Sequence, residues 1–127
     1  MTISTTTVVD NNDKVIISAN GIGSETDQLL VNALNLNNAS SKPVLSISSV
    51  YYNIIGTGNI TLNFATSNSN EEALVIDGKG NYGLKPSEPK ILAEETNATG
   101  NILLTSDSNI TKYNVVIECR KEEGFTQ

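Results

Sequence analysis

The strongest constraint on the fold is alternation. In "KYNVVIECR", residues 112–120, Tyr113, Val115, Ile117 and Cys119 fall on one side of an extended chain and Asn114, Glu118 and Arg120 on the other, with Val116 out of phase. "NITLNF" repeats the pattern, with Ile60, Leu62 and Phe64 against Thr61 and Asn63. Period-two patterning of this kind belongs to strands buried on one face. "KVIISA", "ALVI" and "NILLTS" read the same way. In the longer run after Pro43 the alternation places Leu45, Ile47, Ser49 and Tyr51 on one face, and Ser46, Ser48, Val50 and Tyr52 on the other. Gly-bearing turn signals separate the runs: Asn20-Gly21, Gly56-Thr57-Gly58-Asn59, Asp77-Gly78-Lys79-Gly80 and Thr99-Gly100. The stretch "YYNIIGTGNITLNF", residues 51–64, looks like a β-hairpin about the second of these.

Many short strands with frequent turns predict an all-β fold, an antiparallel β-sandwich that is jelly-roll-like or immunoglobulin-like. The 127 residues suit one domain, residues 1–127, which can bury about two thirds of its unfolded surface. Only 5% of residues are aromatic and none is Trp, so the core must rest on Val, Ile and Leu. "SETDQLLVNALNLN", residues 24–37, is ambiguous. Ser24 and Asp27 resemble a helix cap and Leu30, Ala33 and Leu34 have helical spacing, whereas Leu29-Leu30-Val31 suits a buried strand. The reading adopted is a strand near 27–32 followed by a tight turn.

The chemical inventory is sparse. There is no histidine, which removes the commonest general base and metal ligand. The single cysteine, Cys119, cannot form an internal disulfide and sits in an apolar row. "DNND", residues 10–13, is an oxygen-rich turn without the spacing of a calcium loop. Glu71-Glu72 and Glu94-Glu95 are neighbours in sequence, and on a strand they point to opposite faces. "GKGNYG", residues 78–83, lacks the lysine-serine/threonine ending and the helix of a phosphate loop. No catalytic residue, cofactor or metal site is expected. A net charge of −6 opposes binding to nucleic acid, and no apolar run is long enough to span a membrane as a helix. The start, "MTISTTTVVD", is not expected to be a secretion signal, and the acceptor-like triplets at Asn38, Asn59, Asn97 and Asn109 are then by-products of an Asn- and Ser/Thr-rich chain. Tyr51, Tyr52, Tyr82 and Tyr113 are the residues that could stack on a sugar, against core or interface packing as the alternative.

The order of strands and turns in "VLSISSVYYNIIGTGNITLNFATSNSNEEALVIDGKGNYG", "NATGNILLTS" and "TKYNVVIECRK" resembles that of small virion proteins of marine tailed phages. The matching positions are Tyr52, Gly56, Phe64, Gly78 with Gly80, Gly100 with Ile102, and residues 113–121; the resemblance covers residues 44–121. It implies a non-enzymatic virion structural protein: a capsid decoration or cement protein that is made in the host cytoplasm, binds the outer surface of an icosahedral head and stabilises it. The partners implied are the major capsid protein and further copies of the chain, as a trimer or dimer. The alternative is a head-fibre, tail or receptor-binding adhesin component with carbohydrate affinity.

Contacts with the partner are expected from three places. The threonine-rich start, residues 1–9, reads as an extended arm that adds to a neighbouring sheet through Thr2, Ile3, Thr5 and Thr7, or else as a disordered segment or an internal edge strand. Tyr82 is the exposed-loop aromatic. Residues 121–127 read as an exposed C-terminal tail that Phe125 anchors to a neighbour.

Overall fold

The structure, a computed structural model, describes residues 3–67, 70–83, 85–93 and 98–125. Among these lie nine strands: β1 (Ser4–Asp10), β2 (Lys14–Ile22), β3 (Glu25–Val31), β4 (Ala39–Gly56), β5 (Asn59–Thr66), β6 (Glu71–Asp77), β7 (Lys79–Tyr82), β8 (Ala98–Ser106) and β9 (Ile110–Phe125). They form two antiparallel sheets, one of order β1-β2-β9-β4-β7 and one of order β3-β8-β5-β6. The ambiguous segment is strand β3, followed by a 3-10 turn at Ala33–Asn35.

The pairings are nested. β5 pairs with β6, β4 with β7, β3 with β8 and β2 with β9. A long hairpin with its tip between β5 and β6, wrapped so that successive pairs alternate between sheets, produces this order. It is jelly-roll topology, and β1 is added outside β2. The hairpin expected over residues 51–64 is therefore a corner. β4 ends at Gly56 in one sheet, and β5 starts at Asn59 in the other. Gly56 has a φ of 125°, a conformation open to glycine, and its Cα lies against the backbone of Asn109 and Ile110 in the neighbouring corner. The turn signal was correctly located, but sequence pattern does not distinguish a turn back from a turn across.

The core lies between the sheets. Val15, Ile17 and Ala19 of β2, Leu45, Ile47, Val50 and Ile54 of β4, and Tyr113, Val115, Ile117 and Cys119 of β9 face Ile60, Leu62 and Phe64 of β5 and Ile102 and Leu104 of β8; all are buried. Complete burial of each such aliphatic side chain is worth about 1.5–3 kcal/mol. In β4 the alternation changes phase. Ile47 is paired with Cys119 but Ser49 with Glu118, so Ser48 is an extra residue, a β-bulge. Its hydroxyl donates to the Glu118 carbonyl at 3.0 Å and to Glu118 Oε2 at 2.9 Å. Beyond the bulge Val50 and Ile54 point inward, and Tyr51, read from the sequence as sharing a face with Leu45 and Ile47, points outward and is 53% exposed.

Residues 121–125 are not a tail. β9 continues through them, pairing Lys121 with Leu45, Glu123 with Val44 and Phe125 with Ala39. Lys121 is the reason the strand holds. Its side chain is only 1% exposed, and its ammonium donates to Asp10 Oδ1 at 2.5 Å, to the Asn11 carbonyl at 2.6 Å and to the Asn37 carbonyl at 2.9 Å. The Phe125 ring centroid lies 5.1 Å from the same nitrogen. Asp10 in turn accepts from the Asn37 amide at 2.9 Å. One buried cation thus joins the β1–β2 turn, the turn before β4 and the end of β9.

A second polar contact closes the other end of β9. The Tyr113 hydroxyl donates to Glu25 Oε2 in the interior, while Glu25 Oε1 has no partner among the described residues. Burial, with the Glu25 hydrogen bond and charge adding to it, raises the Tyr113 pKa above its usual value. The Tyr113 ring lies over Gly21, its cross-strand partner, in the space that a β-carbon there would fill.

Two outcomes follow from these contacts. Lys121→Met leaves the Asp10 carboxylate and two carbonyls without their donor, and is expected to lower the unfolding free energy in urea by about 3–5 kcal/mol, with part recovered by Asp10→Asn in the same chain. Gly21→Ala displaces the Tyr113 ring and is expected to cost about 1–3 kcal/mol in the same measurement.

Candidate functional site

The groups that most often carry chemistry are occupied structurally. Cys119 is fully buried; burial first, and the Glu118 charge second, raise its pKa well above the ordinary thiol value and disfavour the reactive thiolate. In the "DNND" turn, Asn11 Oδ1 accepts from the amides of Asp13 and Lys14 at 2.9 and 3.0 Å, and Asp10 is held by Lys121. No group of three His, Cys, Asp or Glu side chains placed to hold a metal is present among the described residues. Glu71 and Glu72 are successive residues of β6, opposite Phe64 and Asn63; Glu94 and Glu95 lie outside the described residues.

What remains is surface, and the sheet edges differ from one another. A bare edge offers unpaired main-chain groups to any passing strand, and stable proteins block it. On the β7 side of the five-stranded sheet the edge strand is short, and the part of β4 that it leaves bare is covered. β7 itself pairs only with residues 50–53 of β4, and Ile91 then bridges Ile47 through two 2.9 Å hydrogen bonds. The covering segment is fastened by the Tyr82 hydroxyl to the Pro89 carbonyl (2.9 Å), and by Lys90, whose ammonium lies 2.9 and 3.0 Å from the Glu122 carboxylate. In the four-stranded sheet, β6 carries Glu71, Glu72 and Asp77. β3 is irregular: its register with β8 shifts twice, and Asp27 has a φ of 49°.

Up to Val9, β1 has none of these charges or covers; its last residue is Asp10. Residues 4–9 are "STTTVV", without charge or proline. They pair in regular register with Asn20 through Ile17 until a bulge at Val8, itself 59% exposed. The expected free arm is thus an edge strand of the chain's own sheet over residues 4–10, because β2 presents a complementary edge immediately after the three residues Asn11, Asn12 and Asp13. The side of β1 turned away from β2 has no neighbouring strand. Behind it a groove of about 270 Å³ opens between the sheets, where Thr5, Thr7 and Ile17 face Leu29, Leu30 and Asn35.

The residues expected to bind a partner do not form one surface. Thr5 and Thr7 meet at this groove, and Ile3 packs partly against the core just before β1. Thr2 lies outside the described residues. Tyr82 sits half-buried at the opposite edge of the sheet. Phe125 is half-buried against the core beside Lys121.

Sequence reasoning missed the outer face of the five-stranded sheet. Cross-strand register aligns Asn20, Asn114, Asn53 and Lys79 in one row, and Ser18, Val116, Tyr51 and Asn81 in the next. Two shallow hollows of about 280 and 210 Å³ lie side by side there and share Asn53 and Asn114. The clue in the sequence was the serine run before Val50, where a strand of regular phase would not place so many small polar residues.

The Lys90–Glu122 contact has a pH signature. The Ser46 hydroxyl, 2.6 Å from Glu122 Oε2, and then Lys90 hold the Glu122 carboxyl below its ordinary pKa of 4.5. A depressed folded-state value contributes stability that is complete above the unfolded value and is lost as the pH falls through the folded one. Glu122→Gln is expected to make the fall in Tm on acidification, from about pH 5 to about pH 3, shallower. Hydrogen exchange should also show faster opening of residues 88–91 in that variant at neutral pH.

No protein-family model matches this chain, and no curated protein matches its sequence.

Proposed function

We propose that the chain is a non-enzymatic virion structural protein of a tailed phage, a capsid decoration or cement protein that binds the outer surface of an icosahedral head. The observation that carries this reading is the β1 edge. Of the four outer strands, β6 is charged, β3 is irregular and β7 is only four residues long with a lysine, whereas β1 is uncharged over residues 4–9 and regular over residues 4–7. An extended segment of the major capsid protein, or of another copy of this chain, adds to β1 by main-chain hydrogen bonds, with Thr5 and Thr7 meeting its side chains at the groove. Each contact is small, but repetition over a shell makes the total large, and a protein that binds only the mature lattice stabilises it by mass action. The order of strands and turns over residues 44–121, which resembles that of phage virion proteins, supports the same assignment. So does the structural use of Cys119, Asp10 and Glu25.

A second reading, a head-fibre, tail or receptor-binding adhesin component, is favoured by the exposed Tyr51 ring among asparagines.

The test is attachment to purified particles. Thr6→Lys with Val8→Lys places two charges on the outer strand at exposed positions, and Tm should change little. Wild-type protein should be present in hundreds of copies per particle by quantitative mass spectrometry, and the variant should be reduced about tenfold or more, an order-of-magnitude loss equal to about 1.4 kcal/mol. Unchanged occupancy would refute attachment through β1. A handful of copies would favour the second reading, and absence from particles would end both.

A further inference from the structure

We infer that the outer face of the five-stranded sheet is a binding site for an oligosaccharide that carries anionic groups. The inference goes beyond attachment through β1 and does not depend on it, since the site lies on a sheet face, not at the edge.

The argument begins with what projects from the face. Tyr51 is 53% exposed, near the middle of the face, with Asn81 paired to it on one side and Val116 on the other. A phenol ring held in this way offers a flat apolar platform with a polar rim, which suits a sugar ring that has one face of C–H groups and an edge of hydroxyls. Around it stand amides. Asn53, Asn81 and Asn114 line the larger hollow with Tyr51, and Asn20 joins Asn53 and Asn114 in the smaller one. Amide side chains both donate and accept, as a hydroxyl-rich ligand requires. Asn114 is partly oriented already: its Nδ2 donates to Asn20 Oδ1 at 2.6 Å, which leaves its own carbonyl oxygen to accept from a ligand. The side chains of Tyr51, Asn53 and Asn81 make no hydrogen bond among the described residues.

Charge selects the ligand class. The chain has 14 acidic and 8 basic residues, yet neither hollow has a carboxylate in its lining. Each has a lysine instead: Lys79 in the larger and Lys112 in the smaller. Among the described residues neither forms an ion pair, whereas Lys14, Lys90 and Lys121 all do. Glu118, the carboxylate further along the same face of β9, is engaged by Lys14 at 3.7 Å and by Ser48. Two unpaired ammonium groups flank an amide-and-tyrosine surface from which carboxylates are missing. That arrangement complements acidic sugars better than neutral ones. The row from Asn20 to Lys79 crosses four strands, or about 14 Å at the usual strand spacing of ~4.8 Å, which accommodates a chain of sugars rather than one. A ligand lying across it meets amides throughout, with Lys79 at one end and Lys112 beside Asn114 in the neighbouring row.

Binding is measured by isothermal titration with three probes of similar length: oligogalacturonate, dextran sulfate and neutral dextran. Saturable binding of either anionic probe that exceeds binding of neutral dextran and weakens with salt supports the site, and the probe that binds identifies carboxylate or sulfate as the recognised group. Tyr51→Ala should reduce the affinity by roughly tenfold. Lys79→Ala and Lys112→Ala should each reduce it by up to about fivefold, and Lys85→Ala, on the covering segment away from the face, should leave it unchanged. Circular dichroism establishes that each variant is folded; if Tyr51→Ala is not, the lysine variants decide. Equal binding of neutral dextran, equal loss on Lys85→Ala, retention of full affinity in both lysine variants, or no binding of either anionic probe would overturn the inference. Those failures would leave attachment through β1 standing.

Discussion

The fold depends on β9 being long enough to serve two masters. Over residues 112–120 it pairs with both β2 and β4, and over 121–125 with β4 alone. Its inward row, Tyr113, Val115, Ile117 and Cys119, runs down the centre of the five-stranded sheet. A core with Phe64 as its one fully buried aromatic ring must bridge the roughly 10 Å between sheets with aliphatic side chains. That works only where the rows of three adjacent strands stay in register. The β2–β9 ladder does so without a break from Lys14 to Ile22. The β4 side accommodates its mismatch in the Ser48 bulge, beside which Gly83 packs against the Ser48 carbonyl with a φ of 98° that suits glycine.

The two ends of β9 carry the polar contacts because the sandwich is open there. At an open end, backbone carbonyls from turns converge without strand partners, and water is the default donor. Lys121 replaces that water with a single ammonium that reaches a carboxylate, two carbonyls and an aromatic face. A buried ion pair gives modest net stability against an apolar replacement of matching shape. Its effect here is positional: each of the three segments it joins is a turn or a strand end with few apolar contacts of its own. Glu25 and Tyr113 hold the opposite end, at the corner where β2 leaves one sheet and β3 enters the other.

This division explains which parts of the protein were legible in the sequence. Strands β2, β5 and β9 announce themselves because their inward rows alternate with few exceptions and each of the two sheets has one wet face. The position of β3 follows from its apolar triplet. Long-range facts were not legible. Whether Gly56 to Asn59 turns the chain back or across depends on β6 and β8 competing for β5, and local pattern carries no record of that. Lys121 looks like one charge in a mixed run, "RKEE"; its burial is decided by Asp10 and Asn37, more than eighty residues away. The same holds for Tyr51. One bulged residue reverses every side chain after it, so Tyr51, placed by the sequence on the same face as Leu45 and Ile47, lies on the opposite one.

The two proposed surfaces share a sheet but use it at right angles. Main-chain groups at the outer side of β1 point in the plane of the sheet; Tyr51, the asparagines and the two lysines project out of it. A strand added to β1 therefore leaves the face uncovered. It also lengthens it, because the rows that cross the sheet begin on β1 itself: Ser4 leads into Asn20, Asn114, Asn53 and Lys79, and Thr6 into Ser18, Val116, Tyr51 and Asn81. A protein held to a larger body by its first strand would thus present this face sideways to that attachment, open to the surroundings. The β7 edge has the matching consequence. With Ile91 and Lys90 fastened over β4, only the four residues of β7, Lys79 among them, present an outer side there, which disfavours growth of the sheet in that direction.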